Sequence, residues 1–579
     1  MRPLLRYLRL HWRAVTVGVL CLTLCNIFEL VQPWIWKGVV DGLTPPVSAT
    51  RASVLFGALL LVAAGLGRSI FSFLQHWILL GTSRKIEYDL RNDLFRHLQR
   101  LSPSYYVTTK TGDLMSRATS DINAVRLLLG YGVILVVDTL NLLGVSIFFM
   151  LHTSPKLTAV AMAPLLVLPF VVARFTRVIH QRYEAVQRHL SVLSTKVQEN
   201  LSGVRVVKAF VQETMEILGF RKLNQEYIRL ALREARVEVP FNPLLGLCAG
   251  LGVLLAVVVG GFMAARGEIS LGDYVAFDGY LAIATGPMAG FGMILTMWQK
   301  GKTSMGRLQE VLSEVPEIAD APEAKPLGGI RGEIRLQGLS LRYPGASQQA
   351  LKGVSAEIPA GAFVAVVGPV GSGKTTLLNA VARLVRVPDG QVLVDGEDVN
   401  RITLASLRGA IGMVPQDTFL FSDTVRNNIA FGRMEATDEQ VAGCARLAGI
   451  EEEIRSLPGG YSQLIGERGV TLSGGQRQRM AIARAVARDP RILLLDNCLS
   501  SVDAETEERV LASLRTFLAG RTAIVVSHRV SAIKGADLIL VMDEGRIVER
   551  GTHAELLAAG REYAWLCRRQ ELELALEQS

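Results

Sequence analysis

The chain has 579 residues, of which 50% are hydrophobic and 20% charged, with a formal net charge of +9. This length exceeds what one domain needs, and a mean hydropathy of +0.31 is high for a soluble protein. Lysines and arginines in the cytoplasmic loops of a membrane protein explain the basic balance better than nucleic-acid binding does. We therefore expect a membrane domain joined to a polar domain, and no nucleic-acid partner.

Six apolar stretches in the first half are long enough to cross a bilayer, which takes about 20 residues of helix. The predicted spans are Val15–Val40, Val54–Leu80, Leu128–Leu151, Leu157–Arg174, Leu244–Ala264 and Tyr274–Trp298. Arginine and lysine are concentrated in residues 82–126 and 174–236, and the other connections carry few. The positive-inside rule therefore predicts an integral membrane protein whose two termini and C-terminal half are cytoplasmic. Compact loops and the lack of a targeting segment favour a bacterial inner membrane.

The two basic segments keep apolar residues at helical spacing, so the helices are expected to continue beyond the bilayer as a cytoplasmic stalk. Turns are predicted near Ser102–Gly112 and Phe210–Met215, where Pro103 and Gly112 mark the first break. We expect the tips of both turns to contact the polar domain.

Charged residues fall inside the predicted spans, and each costs at least roughly 2.5–3.5 kcal/mol on insertion scales. Each should therefore face a wet cavity or a partner. One hypothesis is that the first and sixth spans line a substrate path. The alternative is structural pairing, such as Arg68 with an acid. These charged residues include Glu29, Arg68, Asp138 and Asp278.

A stretch rich in proline, glycine and charge separates the two halves of the chain. It predicts a six-helix, all-α transmembrane domain (1–315), a linker (316–332), a nucleotide-binding domain (333–566) and a C-terminal tail (567–579). Short β-type runs then alternate with amphipathic helices, which indicates an α/β fold with a parallel sheet. The predicted strands are Ile334–Leu336, Phe363–Val367, Gln391–Val394, Ile492–Leu495, Thr522–Val526 and Leu538–Met542.

The strand Phe363–Val367 runs into a G-x-x-x-x-G-K-[ST] phosphate-binding loop followed by a helix. Glycines allow backbone N–H groups to surround phosphates, and the helix N-terminus adds its dipole. Lys374 is expected to neutralise the β and γ phosphates of ATP, and Thr375 to ligate Mg²⁺. Asp496 ends an apolar strand and supplies a second magnesium-side carboxylate. The predicted nucleotide contacts in the loop are Gly368, Gly371, Ser372, Gly373, Lys374, Thr375 and Thr376.

Between these two motifs lies Ser473-Gly474-Gly475-Gln476, which resembles the signature of the ABC transporter family. The whole chain is similar to exporters of that family in which transmembrane and ATPase domains are fused. The resemblance implies ATP and Mg²⁺ as cofactors. It also implies a dimer in which each ATP lies between one phosphate loop and the signature of a second half-transporter. Amphipathic cargo (drugs, lipids or peptides) and a lipid environment follow from the same resemblance.

The resemblance further assigns roles to several single residues. Tyr343 would stack on adenine, Gln416 would contact Mg²⁺ and the transmembrane domain, and His528 would sense the γ-phosphate. Asp503 belongs to a D-loop, and Gly466–Gly469 to a loop that responds to the coupling turns.

One residue departs from the family pattern. The family places glutamate after the strand-ending aspartate, as general base or water-orienting group, whereas this chain has Asn497. An amide cannot take up a proton at neutral pH, so slow hydrolysis at this site is predicted. An intact signature beside a degenerate site indicates a heterodimer whose partner supplies the glutamate. Two alternatives are a homodimer carrying a hydrolysis-blocking substitution, and a tolerated mismatch in which a group such as His528 supports hydrolysis.

A different functional class is also compatible with the sequence. ATP could control a gated channel or receptor without pumping. A soluble ABC ATPase is disfavoured by the six spans, and an importer by the fusion of the two domains.

Overall fold

A computed structural model describes residues 2–44, 50–343, 345–466, 469 and 471–577. The chain forms two compact units. The first contains Met1–Leu98 and Thr111–Glu314, and the second contains Gln99–Lys110 and Val315–Ser579.

The first unit is built from helices. Among the described residues, six helices are long and apolar enough to cross a membrane. In chain order these spans are Trp12–Leu43, Arg51–Leu98, Thr111–Thr153, Pro155–Ser202, Phe241–Ala265 and Leu271–Leu312. The remaining helices of this unit are Arg2–Leu10, Val204–Ala209 and Glu213–Glu238. The predicted all-α membrane domain with six spans is confirmed.

Several spans run well beyond the length that a bilayer requires, as the helical spacing of the basic segments predicts. The second and fourth spans each have 48 residues, which is about 70 Å of helix at 1.5 Å per residue. Side-chain caps fix two of the starts. Ser154 accepts a hydrogen bond from the Leu157 N–H, and Ser270 forms a capping box with Asp273.

The first predicted turn contains a short helix, Pro103–Thr108, and groups with the second unit. Ser102 Oγ accepts a hydrogen bond of 2.9 Å from the Ile318 N–H, and Ser104 Oγ donates one of 2.7 Å to Glu317. The turn is therefore fastened to the linker, although its residues fall within the range predicted for the transmembrane domain. The second turn contains the break between Val204–Ala209 and Glu213–Glu238.

The second unit is the predicted α/β ATPase domain. A six-stranded sheet has the order β10-β9-β3-β8-β7-β6, in which only β10 is antiparallel, and a four-stranded antiparallel sheet has the order β2-β1-β4-β5. In chain order the strands β1 to β10 are Ile334–Leu341, Leu351–Ile358, Phe363–Val367, Val392–Val394, Glu397–Asp398, Ile411–Val414, Ile492–Asp496, Thr522–Val526, Leu538–Asp543 and Arg546–Gly551.

Two hydrophobic cores lie on opposite faces of the six-stranded sheet. Leu493 and Leu495 of β7 belong to one core, and Ile492 and Leu494 to the other, because successive side chains of a strand point to opposite faces. A strand apolar on both faces is typical of a parallel sheet covered on both sides. The helices of this unit are Lys374–Val381, Leu404–Gly409, Val425–Ala430, Asp438–Leu447, Glu451–Ser456, Gly474–Ala487, Ala504–Leu518, Val530–Ile533, His553–Ala559 and Glu562–Glu577.

The predicted tail begins inside a helix of the ATPase domain. Glu562–Glu577 is continuous, and its residues Tyr563 and Cys567 are buried in the core that contains Leu493. The side chain of Gln570 accepts a 2.8 Å hydrogen bond from the Val530 N–H. This part of the tail is therefore packed on the domain.

Candidate functional site

The candidate site lies at the carboxyl edge of the six-stranded sheet. The phosphate loop follows β3, His528 follows β8, Asp496 ends β7 and Gln416 follows β6. These strands are consecutive neighbours and parallel, so their carboxyl ends meet at one edge, where α/β proteins bind ligands. The fold therefore brings together residues that are far apart in the sequence.

The phosphate loop requires glycine at two positions for steric as well as conformational reasons. Gly368 and Gly373 have φ values of +145° and +98°. A Cβ at Gly368 would lie 2.0 Å from the Met542 carbonyl oxygen, and one at Gly373 would lie 2.6 Å from the Ala350 carbonyl oxygen. The loop then enters the helix Lys374–Val381. Its shape matches the predicted phosphate cradle.

Lys374 is buried, and the phosphate loop holds its side chain in place. Its ammonium group donates to the carbonyl oxygens of Gly368 at 2.9 Å and Pro369 at 2.7 Å. Burial lowers the pKa of this lysine, and the Asp496 carboxylate partly opposes the shift. Tyr343 follows β1, and its hydroxyl donates to Thr376 Oγ1, in the first turn of the same helix, at 3.3 Å.

Asp496 is a buried carboxylate, 1% exposed, at the end of β7. Neither of its oxygens accepts a well-formed hydrogen bond within the described part of the chain. Burial raises its pKa, while the Thr375 hydroxyl, Lys374 and His528 are close enough to oppose the shift. A buried carboxylate that accepts no well-formed hydrogen bond, next to a threonine hydroxyl, is a donor set that fits Mg²⁺.

His528 lies two residues beyond β8, beside this carboxylate. Burial lowers its pKa, Lys374 lowers it further, and Asp496 opposes the change. The lowered pKa favours the neutral imidazole, which can donate one hydrogen bond and accept another.

Asn497 follows Asp496 with φ of +46°, in the left-handed region where asparagine is among the better tolerated side chains. Its N–H donates a 3.0 Å hydrogen bond to the Val526 carbonyl, which ties the residue to β8. Asn497 and His528 both line a cavity of about 240 Å³. The position predicted for a general base thus adjoins the predicted switch histidine.

The signature residues begin the helix Gly474–Ala487, with Ser473 as its N-cap. Ser473 Oγ accepts a hydrogen bond from the Gln476 N–H at 3.2 Å, and the Ser473 N–H donates one to Gln476 Oε1 at 2.9 Å. Residues of this helix belong to the core that contains Leu493, whereas the phosphate-loop helix belongs to the core that contains Leu494. The two anion-binding helix ends therefore belong to opposite faces of one sheet.

Two contacts that the sequence analysis missed connect the predicted loops. Gln478, buried in the signature helix, donates to Ser500 Oγ and accepts from the Ser501 N–H, both at 3.0 Å. Its place two residues after the signature motif was an available signal, but its partners depend on tertiary packing.

The second contact joins the loop of His528 to the D-loop. Arg529 donates to the Val502 carbonyl at 3.0 Å and pairs with the buried carboxylate of Glu507. Asp503 caps the helix Ala504–Leu518 by accepting from the Thr506 N–H at 2.9 Å, and this bond lowers the pKa of its carboxyl.

Gln416 is exposed two residues beyond β6. Gly466 and Gly469 are described, whereas Glu467 and Arg468 of the same predicted loop lie outside the described residues.

The charged residues of the spans divide into two sets. Arg68 pairs with Glu29 at 3.1 Å, and Asn26 donates to Asp138 at 3.0 Å. Asp278 is separate, and its Oδ1 has no hydrogen-bond partner within the described spans. Pairing of Arg68 with an acid was the structural alternative, and a role in substrate passage stays a prediction.

Comparison with known proteins gives consistent relatives for both halves. Residues 15–288 match the family model described as the ABC transporter transmembrane region, and residues 351–500 match the model described as ABC transporter. A probable multidrug resistance ABC transporter ATP-binding/permease protein of Bacillus subtilis is 34% identical over 99% of this chain and 97% of its own length.

An ATP-dependent lipid A-core flippase of Syntrophus aciditrophicus is 33% identical over 97% of this chain and 93% of its own length. Among solved structures, a bacterial Atm1-family ABC exporter with ATP bound is similar with a TM-score of 0.81 at 29% identity, covering 96% of this chain and 99% of the other.

Proposed function

Because this chain belongs to the ABC transporter family, as an ABC-type ATPase fused to its own transmembrane region, we propose that it is one half of an ATP-driven exporter of amphipathic substrates. Its relatives include a protein named for multidrug resistance and another named as a lipid A-core flippase. A lipid has an apolar and a polar part, and we take the same amphipathic character for the cargo of this chain. Drugs, lipids and peptides of that kind are the substrate class that we assign.

The site is proposed to bind ATP together with Mg²⁺. Thr375, Asp496 and Gln416 would hold the metal ion, which when bound neutralises phosphate charge. Lys374 and the loop N–H groups hold the phosphates, Tyr343 stacks on the adenine, and the neutral His528 donates toward the terminal phosphate. The buried carboxylate of Asp496, which accepts no well-formed hydrogen bond, supports this assignment.

We further propose that this chain's own site hydrolyses ATP slowly. The observation behind this proposal is Asn497 beside an otherwise complete set of predicted nucleotide-binding residues. An amide can orient a water molecule but cannot accept its proton. Losing a general base forfeits about 10²–10⁴-fold in rate. This chain's own site therefore holds ATP and hydrolyses it slowly.

The proposal includes a second chain, and it is supported by the signature helix and the phosphate-loop helix packing on opposite faces of the sheet. Ser473–Gln476 therefore faces the ATP of a partner rather than the ATP of its own chain. Since Asn497 weakens only this chain's site, we propose a heterodimer in which the partner contributes the missing glutamate. The basic segments 82–126 and 174–236 support a cytoplasmic ATPase domain, and the bacterial relatives support a bacterial inner membrane for the spans.

Native purification from the source organism tests the assembly. Mass spectrometry of the intact complex should find this chain with a second, different half-transporter, and a single polypeptide species would favour a homodimer instead.

ATP hydrolysis should be slow for the isolated chain and faster for the complex. Fast turnover by the isolated chain would refute the impaired site. Uptake into inside-out vesicles should be concentrative and ATP-dependent, whereas a gate would only equilibrate its solute.

A further inference from the structure

A groove of about 880 Å³ lies between the first and second spans at the end where the basic segment begins. Ala14 lines it from the first span, and Phe73, Trp77 and Gly81 line it from the second. Arg126 closes it from the third span. All these residues belong to the transmembrane unit, so the groove is separate from the ATP site.

The groove has an apolar half and a cationic half. Phe73 and Trp77 are stacked, with ring centroids 6.1 Å apart, and their side chains are 66% and 72% exposed. Trp12, two residues before Ala14 in the first span, is 58% exposed. Tryptophans at the end of apolar spans are typical of the membrane–water interface. The apolar half therefore lies at the depth of the upper acyl chains.

Positive charge begins directly below these aromatic rings. Between Arg51 and Arg84 the second span contains one Asp, Glu, Lys or Arg residue, Arg68, whereas Arg84 and Lys85 lie side by side in the groove wall. These cations sit where lipid headgroups would be.

The local acids do not neutralise this charge. Glu87 contacts three guanidinium groups, those of Arg84 at 2.9 Å, Arg91 at 2.8 Å and Arg126 at 3.5 Å. Arg91 lies outside the groove, so the two groove guanidiniums of Arg84 and Arg126 share one carboxylate and keep a surplus of at least one positive charge. Lys85 adds another, because it has no ion-pair partner among the described residues.

We propose that this groove binds an anionic phospholipid of the cytoplasmic leaflet. The phosphate-containing headgroup lies against Arg84, Lys85 and Arg126, and an acyl chain lies along Phe73 and Trp77. A free phosphate would use only the cationic half, so the exposed aromatic wall favours a lipid. Basic pockets between spans on the cytoplasmic side are suited to such headgroups. The inference rests on the proposed membrane orientation, and it is independent of ATP hydrolysis.

Lys85→Gln is the first test, since it removes a cation that holds no ion pair. Lys110→Gln is the matched control, because it makes the same charge change on the same basic segment outside the groove. Each variant is placed in nanodiscs of phosphatidylcholine with a minority of phosphatidylglycerol. Native mass spectrometry then counts the lipids retained by the chain. No nucleotide is added, so failure of the export proposal would not affect the readout.

The wild type should retain phosphatidylglycerol over phosphatidylcholine. Lys85→Gln should weaken phosphatidylglycerol retention about fivefold, because one cation near a membrane surface contributes about 1 kcal/mol to anionic lipid binding. Lys110→Gln should match the wild type. Equal retention by the wild type and Lys85→Gln, or an equal loss in Lys110→Gln, would overturn the site. If inorganic phosphate abolishes the phosphatidylglycerol preference and changes in the apolar wall do not affect it, the groove would be a site for a small anion instead.

Gly81→Leu tests the apolar half without changing charge. A Cβ at Gly81 meets nothing within 4 Å, so the larger side chain extends into the open groove. Gly65→Leu is the control, because Gly65 is in the same helix and also meets nothing within 4 Å. Gly81→Leu should lower retention of phosphatidylglycerol and Gly65→Leu should not. The opposite order, or no change in either, contradicts an acyl chain in the groove.

Discussion

Replacing Asn497 by glutamate should restore hydrolysis at this chain's own site. The side chain lines the same cavity as His528, and the N–H bond to Val526 anchors the backbone there. A general base contributes about 10²–10⁴-fold, which corresponds to about 2.7–5.4 kcal/mol of barrier. Asn497→Glu should therefore raise the single-turnover rate of phosphate release by at least about a hundredfold.

The backbone at this position makes the change costly for stability. Asn497 has φ of +46°, and a side chain other than glycine, asparagine or aspartate pays roughly 1 kcal/mol or more in that region. Asn497→Gln is the matched control, since it shares the length and the backbone strain of the glutamate variant and lacks its carboxylate. Both variants should lower the free energy of unfolding by a similar amount, measured by thermal denaturation.

The comparison separates chemistry from structure. Only Asn497→Glu should gain rate, and Asn497→Gln should stay at or below the wild-type level. If the glutamate and glutamine variants hydrolyse ATP equally, the missing carboxylate is not what limits this site. If neither variant is destabilised, the argument from backbone strain is wrong.

Three further predictions concern other parts of the chain. Because burial raises the pKa of Asp496 above its unfolded value, its ionised form destabilises the nucleotide-free fold fully above the folded pKa, and the cost declines as pH falls from the folded toward the unfolded value. Asp496→Asn should thus raise the melting temperature at neutral pH, by less at acidic pH, and should abolish the Mg²⁺ dependence of ATP binding. Ser473→Ala and Thr437→Ala each remove a capping box and should cost about 1 kcal/mol, but only Ser473→Ala should slow hydrolysis by the paired complex. Glu29→Ala and Asp278→Ala should each shift the preference between cationic and neutral dyes in vesicle transport, and an unchanged preference in both contradicts the substrate-path hypothesis.

The spans, the phosphate loop and the central strands could be predicted because each leaves a local pattern. Hydrophobic length identifies a span, and a buried strand followed by spaced glycines identifies the loop. All six predicted strands appear in the structure, and β2, β5, β6 and β10 are additional. Strands such as β5 and β6, with two and four residues, are too short for periodicity to separate them from loops.

Features that depend on tertiary contacts could not be predicted in the same way. The turn around Pro103–Thr108 groups with the ATPase unit through hydrogen bonds to Glu317 and Ile318, more than two hundred residues away. The third span contains π-helical turns at Arg117–Asp121, Leu128–Gly132 and Thr139–Leu143. A local shift from i→i+4 to i→i+5 backbone hydrogen bonding leaves no signal in the composition, because it depends on how neighbouring helices pack.

The geometry at Asn497 bears on why a site could keep ATP binding while losing hydrolysis. In the proposed site, phosphate contacts would come from the loop after β3 and the metal-side carboxylate from the end of β7, so neither would depend on the residue that follows Asp496. That residue sits in a left-handed conformation which asparagine adopts at little cost. Substituting glutamate by asparagine there removes the proton acceptor and relieves strain in one step, with the cradle unaltered. In the proposed heterodimer, ATP held in this site would keep the two ATPase domains together while the partner's site turns over. Asymmetric cycling would then follow from one side chain and its backbone angle.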